Sequence, residues 1–271
     1  MGGLGSVIKR LVCTNRKALF SFLSVGNPNS DITLKCLNVL AENGADALEL
    51  GAPFSDPIAD GKTIRGVSDS SVRRRTTITS TFGMGKLFKR HNPNVPTVLM
   101  SYANLVRRLG PNNFLMQSET SGIESVILVD CPTEMVGSLC APLKASRMRP
   151  VLLTSPSTPK RRLISAVKQM SGYLYFVSTQ GTTGTELLGT DGLREGAQFL
   201  LDATPVPVLI GFGIRSRSNT RTISKFSDGT IVGTLLVGLM ESGLSNQKTI
   251  KLGRSLKQLV LGLVGFEPTT T

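Results

Sequence analysis

Eight short apolar runs, separated by stretches of helical periodicity, constrain the fold of this chain more than any other feature. They are Leu19–Val25, Ala47–Leu50, Thr97–Met100, Val126–Val129, Val151–Leu153, Leu174–Val177, Val208–Ile210 and Thr230–Val232. Each is apolar or β-branched on successive positions, the pattern of parallel strands covered on both faces. Between them lie helical stretches. Asp31–Glu42 follows Asn29-Ser30, which can cap it, and puts Leu34, Leu37, Val39 and Leu40 on one side. Pro111–Ser121 carries proline in its first turn, Thr158-Pro159 starts a helix running to Met170, and Asp191–Asp202, Ser216–Phe226 and Gln247–Leu263 follow.

A (β/α)8 barrel and a doubly wound open sheet both produce this alternation, and periodicity does not separate them. The length of 271 residues fits one barrel, no linker divides the chain, and no short internal repeat stands out. The expected architecture is α/β: a single (β/α)8 TIM barrel over residues 1–271 with an extra N-terminal helix. Met1 to Ser6 reads as a flexible start and residues 265–271 as a disordered tail.

Composition narrows the function classes. Hydrophobic residues make up 40% and charged residues 18%, a globular balance. No apolar run approaches the roughly 20 residues of a membrane span, so no membrane association is expected. Four cysteines without CxxC spacing and a single histidine, His91, argue against a zinc site or any mechanism needing two histidines. Reduced cysteines in a cytoplasmic setting are expected, with no metal. The net charge is +13, which fits anionic partners, nucleic acid included. The bases are scattered, however, in Arg73–Arg75, Arg107-Arg108, Lys160–Arg162, and Arg215, Arg217 and Arg221. With aromatics at 5%, base-stacking platforms are scarce, so a nucleic-acid partner is not expected.

In a barrel, reactive groups collect at the C-terminal ends of strands and in the loops that follow. Glu49 sits inside the apolar run Ala47-Leu48-Glu49-Leu50 and points opposite to its leucine neighbours. A carboxylate on the barrel's inner face is either paired or functional, and burial would raise its pKa into the range of a usable proton donor. The next loop, Gly51 to Gly61, is dense in Gly, Pro and Asp and brings Asp56 or Asp60 over the mouth. Three of the 18 acids fall between residues 49 and 60. Three glycine sites each follow a strand: Gly181 to Gly184, Gly211-Phe212-Gly213, and Gly233-Thr234, the last opening a helix. Glycines let backbone amides approach an anion, and a helix N-terminus favours negative charge, so this rim suits a phosphorylated ligand as well as simple tight turns. Ser101-Tyr102-Ala103-Asn104 and Asp130-Cys131-Pro132 add polar and aromatic lining.

The segment Leu48 to Gly61, LELGAPFSDPIADG, resembles the signature of the tryptophan synthase α-subunit family at nearly every position. The resemblance continues through Ser101–Asn104, Val129–Pro132, Gly181–Gly184 and Gly211–Ile214, covering residues 18 to 240 in order. It implies a carbon–carbon lyase that cleaves indole-3-glycerol phosphate to indole and glyceraldehyde 3-phosphate, the final stage of tryptophan biosynthesis. By the same resemblance Glu49 handles the proton at indole C3 and the glycerol hydroxyl, and Asp60 takes the indole N–H. Phe22, Tyr102, Tyr175 and Phe212 match the indole pocket. Gly184, Gly213, Gly233 and Thr234 match the phosphate-binding backbone, with Thr234 where serine is usual, and Thr183 matches the mobile loop that closes near Asp60. Lys62 and Arg65 stand where the family more often has Pro and Gln. The resemblance implies no cofactor in this subunit, pyridoxal phosphate belonging to a β-subunit partner in a heterotetramer of two α and two β subunits. An α-type subunit that mainly activates its partner, and a basic barrel that binds nucleic acid, are the alternatives.

Overall fold

The computed structural model describes residues 3–14, 16–131, 148–156, 158–167, 172–177, 190–211, 213–214, 216–241 and 246–263. Eight parallel strands close into a barrel in sequence order. They are β1 Ala18–Ser24, β2 Ala47–Gly51, β3 Thr97–Ser101, β4 Ser125–Leu128, β5 Arg149–Thr154, β6 Leu174–Val177, β7 Val208–Gly211 and β8 Gly229–Val232. All eight expected runs are strands, with ends displaced by at most two residues. Pairing of β1 with both β2 and β8 closes the ring and decides for the barrel over the open sheet.

Side chains in register on parallel neighbours share a face, so the pairings identify the interior. Phe22 lies opposite Glu49, Glu49 opposite Val98, Gly51 opposite Met100, and Leu153 opposite Tyr175. Tyr175 lies opposite Leu209, Gly211 opposite Ile231, and Phe20 opposite Ile231. The alternate residues, among them Leu19, Leu48, Leu50 and Leu99, are fully buried beneath the helices. Coverage on both faces is what leaves these strands without a polar alternation.

The helices are α1 Leu4–Cys13, α2 Ser30–Glu42, α3 Lys62–Arg73, α4 Ile78–His91, α5 Ala103–Leu109, α6 Pro111–Thr120, α7 Lys160–Val167, α8 Thr190–Ala203, α9 Arg217–Ile223, α10 Thr234–Glu241 and α11 Asn246–Leu263. A 3-10 turn, Ser224–Phe226, ends the stretch expected as one helix. Asn29 caps α2 by accepting from the Ile32 amide at 2.9 Å, and Ser216 caps α9 by accepting from Asn219 at 3.2 Å. Three helices were not foreseen. α3 starts at Gly61 without a side-chain cap, and α5 starts at Tyr102 without one. α4 has a capping box, but Thr77 pairs with Ser80 rather than with Glu or Gln, and Gly83 and Gly85 break its periodicity.

The N-terminal helix is tied to the end of the barrel at which the strands begin. Leu4, Val7, Ile8 and Leu11 are buried. Glu124, at the entry to β4, accepts from the Leu4 amide at 2.6 Å and pairs with Lys89 at 2.7 Å. A carboxylate at a helix N-terminus meets free amides and the positive end of the dipole. Leu4 to Ser6, expected as part of a flexible start, therefore form the first turn of α1. Asp46 ties the same end together, accepting from the Leu19 amide at 2.9 Å and pairing with Arg16 at 3.0 Å. Residues 265–271 and Cys140 lie outside the described residues. No helix among the described residues is long and apolar enough to cross a membrane.

Candidate active site

Strand β2 carries Glu49 onto the inner face, where its side chain is completely buried. Its Oε1 accepts a hydrogen bond from the Tyr173 hydroxyl at 2.5 Å. Tyr173 is itself buried and held by the edge of Phe20, ring centroids 5.1 Å apart at 84°. Burial, only partly opposed by that hydrogen bond, pushes the Glu49 carboxyl up to about 8. A buried carboxyl disfavours its charged form because no water solvates it, so Glu49 holds its proton at neutral pH.

The loop after β2 delivers the second carboxylate. Pro57 starts a tight turn in which the Asp60 amide donates to the Pro57 carbonyl at 3.0 Å. Helix α3 grips this loop from outside. Ser68 Oγ accepts from the Phe54 amide and donates to the Phe54 carbonyl, both at 2.9 Å, and Arg65 Nη2 donates to the Asp60 carbonyl at 3.2 Å. From the end of β3, the Tyr102 hydroxyl donates to Asp60 Oδ2 at 2.9 Å, and its ring stacks on Phe54 with centroids 4.7 Å apart. Burial pushes the Asp60 carboxyl up to about 6, while the Tyr102 hydrogen bond and the Arg65 charge oppose the rise. Asp56, the other acid this loop offered, is exposed.

A cleft of about 400 Å³, counting the solvent at its open mouth, lies at this end of the barrel, lined by Phe22, Asp60, Ile64, Met100, Tyr175, Gly213, Ile214, Ile231, Gly233 and Thr234. Two of the three glycine sites therefore come together with Asp60. Gly213 has a φ of 75°, open to glycine and strained for other residues. Gly233 immediately precedes α10, whose first residue is Thr234, so the first-turn amides of that helix face this end of the cleft. Gly51 and Gly233 also make room for Phe22: a Cβ at Gly51 would lie 2.6 Å from the ring, and one at Gly233 would lie 3.1 Å from it.

Glu49 is not on the open wall of the cleft, but its strand neighbour Phe22 is. Tyr175 links the two carboxyls. It lines the cleft, and the charges of both Glu49 and Asp60 reinforce burial in pushing its hydroxyl well above the ordinary tyrosine value. The expected positions Thr183, Gly184 and Phe212 lie outside the described residues, as do Gly181 and Thr182. Asp130, expected on the rim, accepts from the Ala103 amide at 2.7 Å and holds the start of α5.

Among the contacts that sequence reasoning does not anticipate is that of Tyr173, which holds Glu49. The signal was present in Tyr173-x-Tyr175, since residues two apart on a strand share a face. Tyr173 stands just before the apolar run Leu174–Val177, outside the predicted strand. Among the described residues, no cluster of three His, Cys, Asp or Glu is placed to hold a metal ion.

Comparison with known proteins gives a consistent picture. Residues 8–260 match the family model described as tryptophan synthase alpha chain. A tryptophan synthase alpha chain from Burkholderia lata is 35% identical over 254 residues, covering 94% of each chain. One from Polynucleobacter necessarius is 31% identical over 259 residues, covering 96% of this chain and 98% of the relative. Among solved structures, tryptophan synthase subunit alpha from Legionella pneumophila superposes with a TM-score of 0.91 at 25% identity, covering 98% of this chain and 100% of that one. A chain of Mycobacterium tuberculosis tryptophan synthase superposes with a TM-score of 0.88 at 27% identity, covering 97% and 99%.

Proposed function

Because the chain belongs to the tryptophan synthase alpha chain family, we propose that it is the lyase that cleaves indole-3-glycerol phosphate to indole and glyceraldehyde 3-phosphate. The observation that carries this reading is the unequal pair of carboxyls at one end of the barrel: Glu49, buried in register with the cleft-lining Phe22 and raised to about 8, and Asp60, on the cleft wall and raised to about 6. At neutral pH the first is an acid and the second a base. Environments that push two titrating groups apart divide the acid and base roles between them.

In the proposed reaction Glu49 gives its proton to indole C3. Positive charge then builds on the ring nitrogen, whose N–H is held by the Asp60 carboxylate. The glycerol hydroxyl next to the scissile bond returns a proton to Glu49 and becomes the aldehyde carbonyl. The electrons of the breaking C–C bond restore the aromatic ring, and indole leaves. Each group ends as it began, and general acid–base help of this kind is typically worth on the order of 10²- to 10⁴-fold. Phe22, Tyr102 and Tyr175 would flank the indole, and Gly213, Gly233 and Thr234 would hold the phosphate through backbone amides at the start of α10. Thr183, Gly184 and Phe212 complete the set on sequence grounds. The steps need no cofactor in this subunit, and a β subunit would take up the indole.

The reading is tested by indole release from indole-3-glycerol phosphate, with and without a β subunit, for the wild type, Glu49→Gln and Asp60→Asn. Loss of at least about 10²-fold in both variants supports it. Wild-type turnover in both variants removes the two carboxyls from the mechanism.

A further inference from the structure

Arg65 and Ser68 are three residues apart on α3 and so share one face of the helix. They hold the two ends of the loop that carries Asp60, Ser68 at the Phe54 backbone and Arg65 at the Asp60 carbonyl. Of the two, only Arg65 brings a charge. Among the described residues, the titratable and charged groups that act on Asp60 are Tyr102 at the start of α5, Tyr175 on β6, and Arg65 on α3. Both tyrosines are neutral at working pH, so Arg65 is the cation among them.

We infer that Arg65 is a positioning residue: it fixes the backbone of Asp60 from α3 and sets a cation beside the side chain that is to accept the indole N–H. This rests on the lyase reading. One side chain serves both ends because the guanidinium offers several donors in a fixed fork, one spent on the carbonyl while its charge still reaches the carboxylate. The direction agrees with the electrostatics, in which the Arg65 charge opposes the upward push of burial on Asp60. Arg65 is exposed, so water and salt screen this effect and its size is modest.

The test compares wild type, Arg65→Gln and Arg65→Lys in two measurements. The first is the pH dependence of kcat/KM for indole formation. Loss of the cation moves the acid limb to higher pH by about half a unit, a deficit of about threefold well below the limb that fades at higher pH. Arg65→Lys keeps the charge and restores the limb. The second is the midpoint of the Asp60 carboxyl by 13C NMR, which needs no turnover. It rises in Arg65→Gln and returns in Arg65→Lys. An unchanged midpoint in Arg65→Gln overturns the inference, even if activity falls, because a purely structural role lowers rate at all pH values alike. If the midpoint moves but Asp60→Asn cleaves normally, the electrostatic link stands and the lyase reading is what fails.

Discussion

The Tyr173 hydroxyl donates to Glu49 Oε1 across 2.5 Å, while Glu49 Oε2 has no hydrogen-bond partner among the described residues. An oxygen that accepts from Tyr173 is the less favourable site for the acid's own proton. The proton of the neutral carboxyl therefore belongs on Oε2, the oxygen not already engaged. Tyr173→Phe removes the bond that favours the ionised form. The Glu49 pKa should rise further, moving the basic limb of the kcat/KM profile to higher pH. A limb left in place in that variant would show that Tyr173 does not govern the acid.

The same pair of carboxyls fixes the shape of the pH profile. Activity requires Asp60 ionised and Glu49 protonated. With Asp60 at about 6 and Glu49 at about 8, kcat/KM should fall below the first and above the second. The profile of the free enzyme, taken with indole-3-glycerol phosphate, checks this. A flat profile from pH 5 to 9 (about an order of magnitude in each wing being expected) contradicts the assignment of roles.

Glu49 should also make the fold less stable as pH rises. The folded protein keeps the Glu49 proton up to about 8, whereas the unfolded chain gives it up near the ordinary value of 4.5. Between these values the unfolded state binds fewer protons, so raising the pH favours unfolding. The contribution is intact below the lower value and is lost progressively up to the higher one, at about 1.4 kcal/mol per pKa unit. Glu49→Gln removes this dependence. Its Tm should exceed that of the wild type by a margin that grows from pH 5 to 8, while cleavage is lost. Equal Tm values at both ends of that range would show that the buried charge carries no such penalty.

Gly229, at the closure of β8 on β1, tests the barrel itself. A Cβ there would lie 2.6 Å from both the Cβ and the carbonyl oxygen of Ala18, and the backbone partner cannot swing aside. Gly229→Ala should destabilise the protein by about 1–3 kcal/mol. Urea denaturation monitored by circular dichroism reads this directly, and an unchanged midpoint would mean that the two strands part without strain.

Much of this was legible in the chain. The eight strands showed because burial on both faces demands uninterrupted apolar runs, and Glu49 showed because a charge inside such a run is anomalous. The residue pattern alone does not separate Asp60 from Asp56, since both lie in one turn-rich loop, and only the family resemblance singles out Asp60. The fold separates them by packing Asp60 against Tyr102 and leaving Asp56 in solvent. Arg65 stood out only as a departure from the family's commoner glutamine, and its reach to the Asp60 carbonyl depends on α3, whose start at Gly61 carries no capping signal. Tyr173 escaped for a different reason: it precedes the first residue of β6 and acts across the barrel on β2, a pairing of residues 124 apart.

Gly51 and Gly211 occupy inner positions of β2 and β7, with Phe22 and Tyr175 leaning over them. A barrel of this kind ordinarily fills such layers with bulky branched side chains. Here the two rings fill the space at the glycines and line an open cleft, which a flat aromatic ligand would fill in turn. Substrate is then a removable part of the core, and occupancy and folding become one linked equilibrium: each tenfold excess of ligand over its Kd would add about 1.4 kcal/mol to the stability of the barrel.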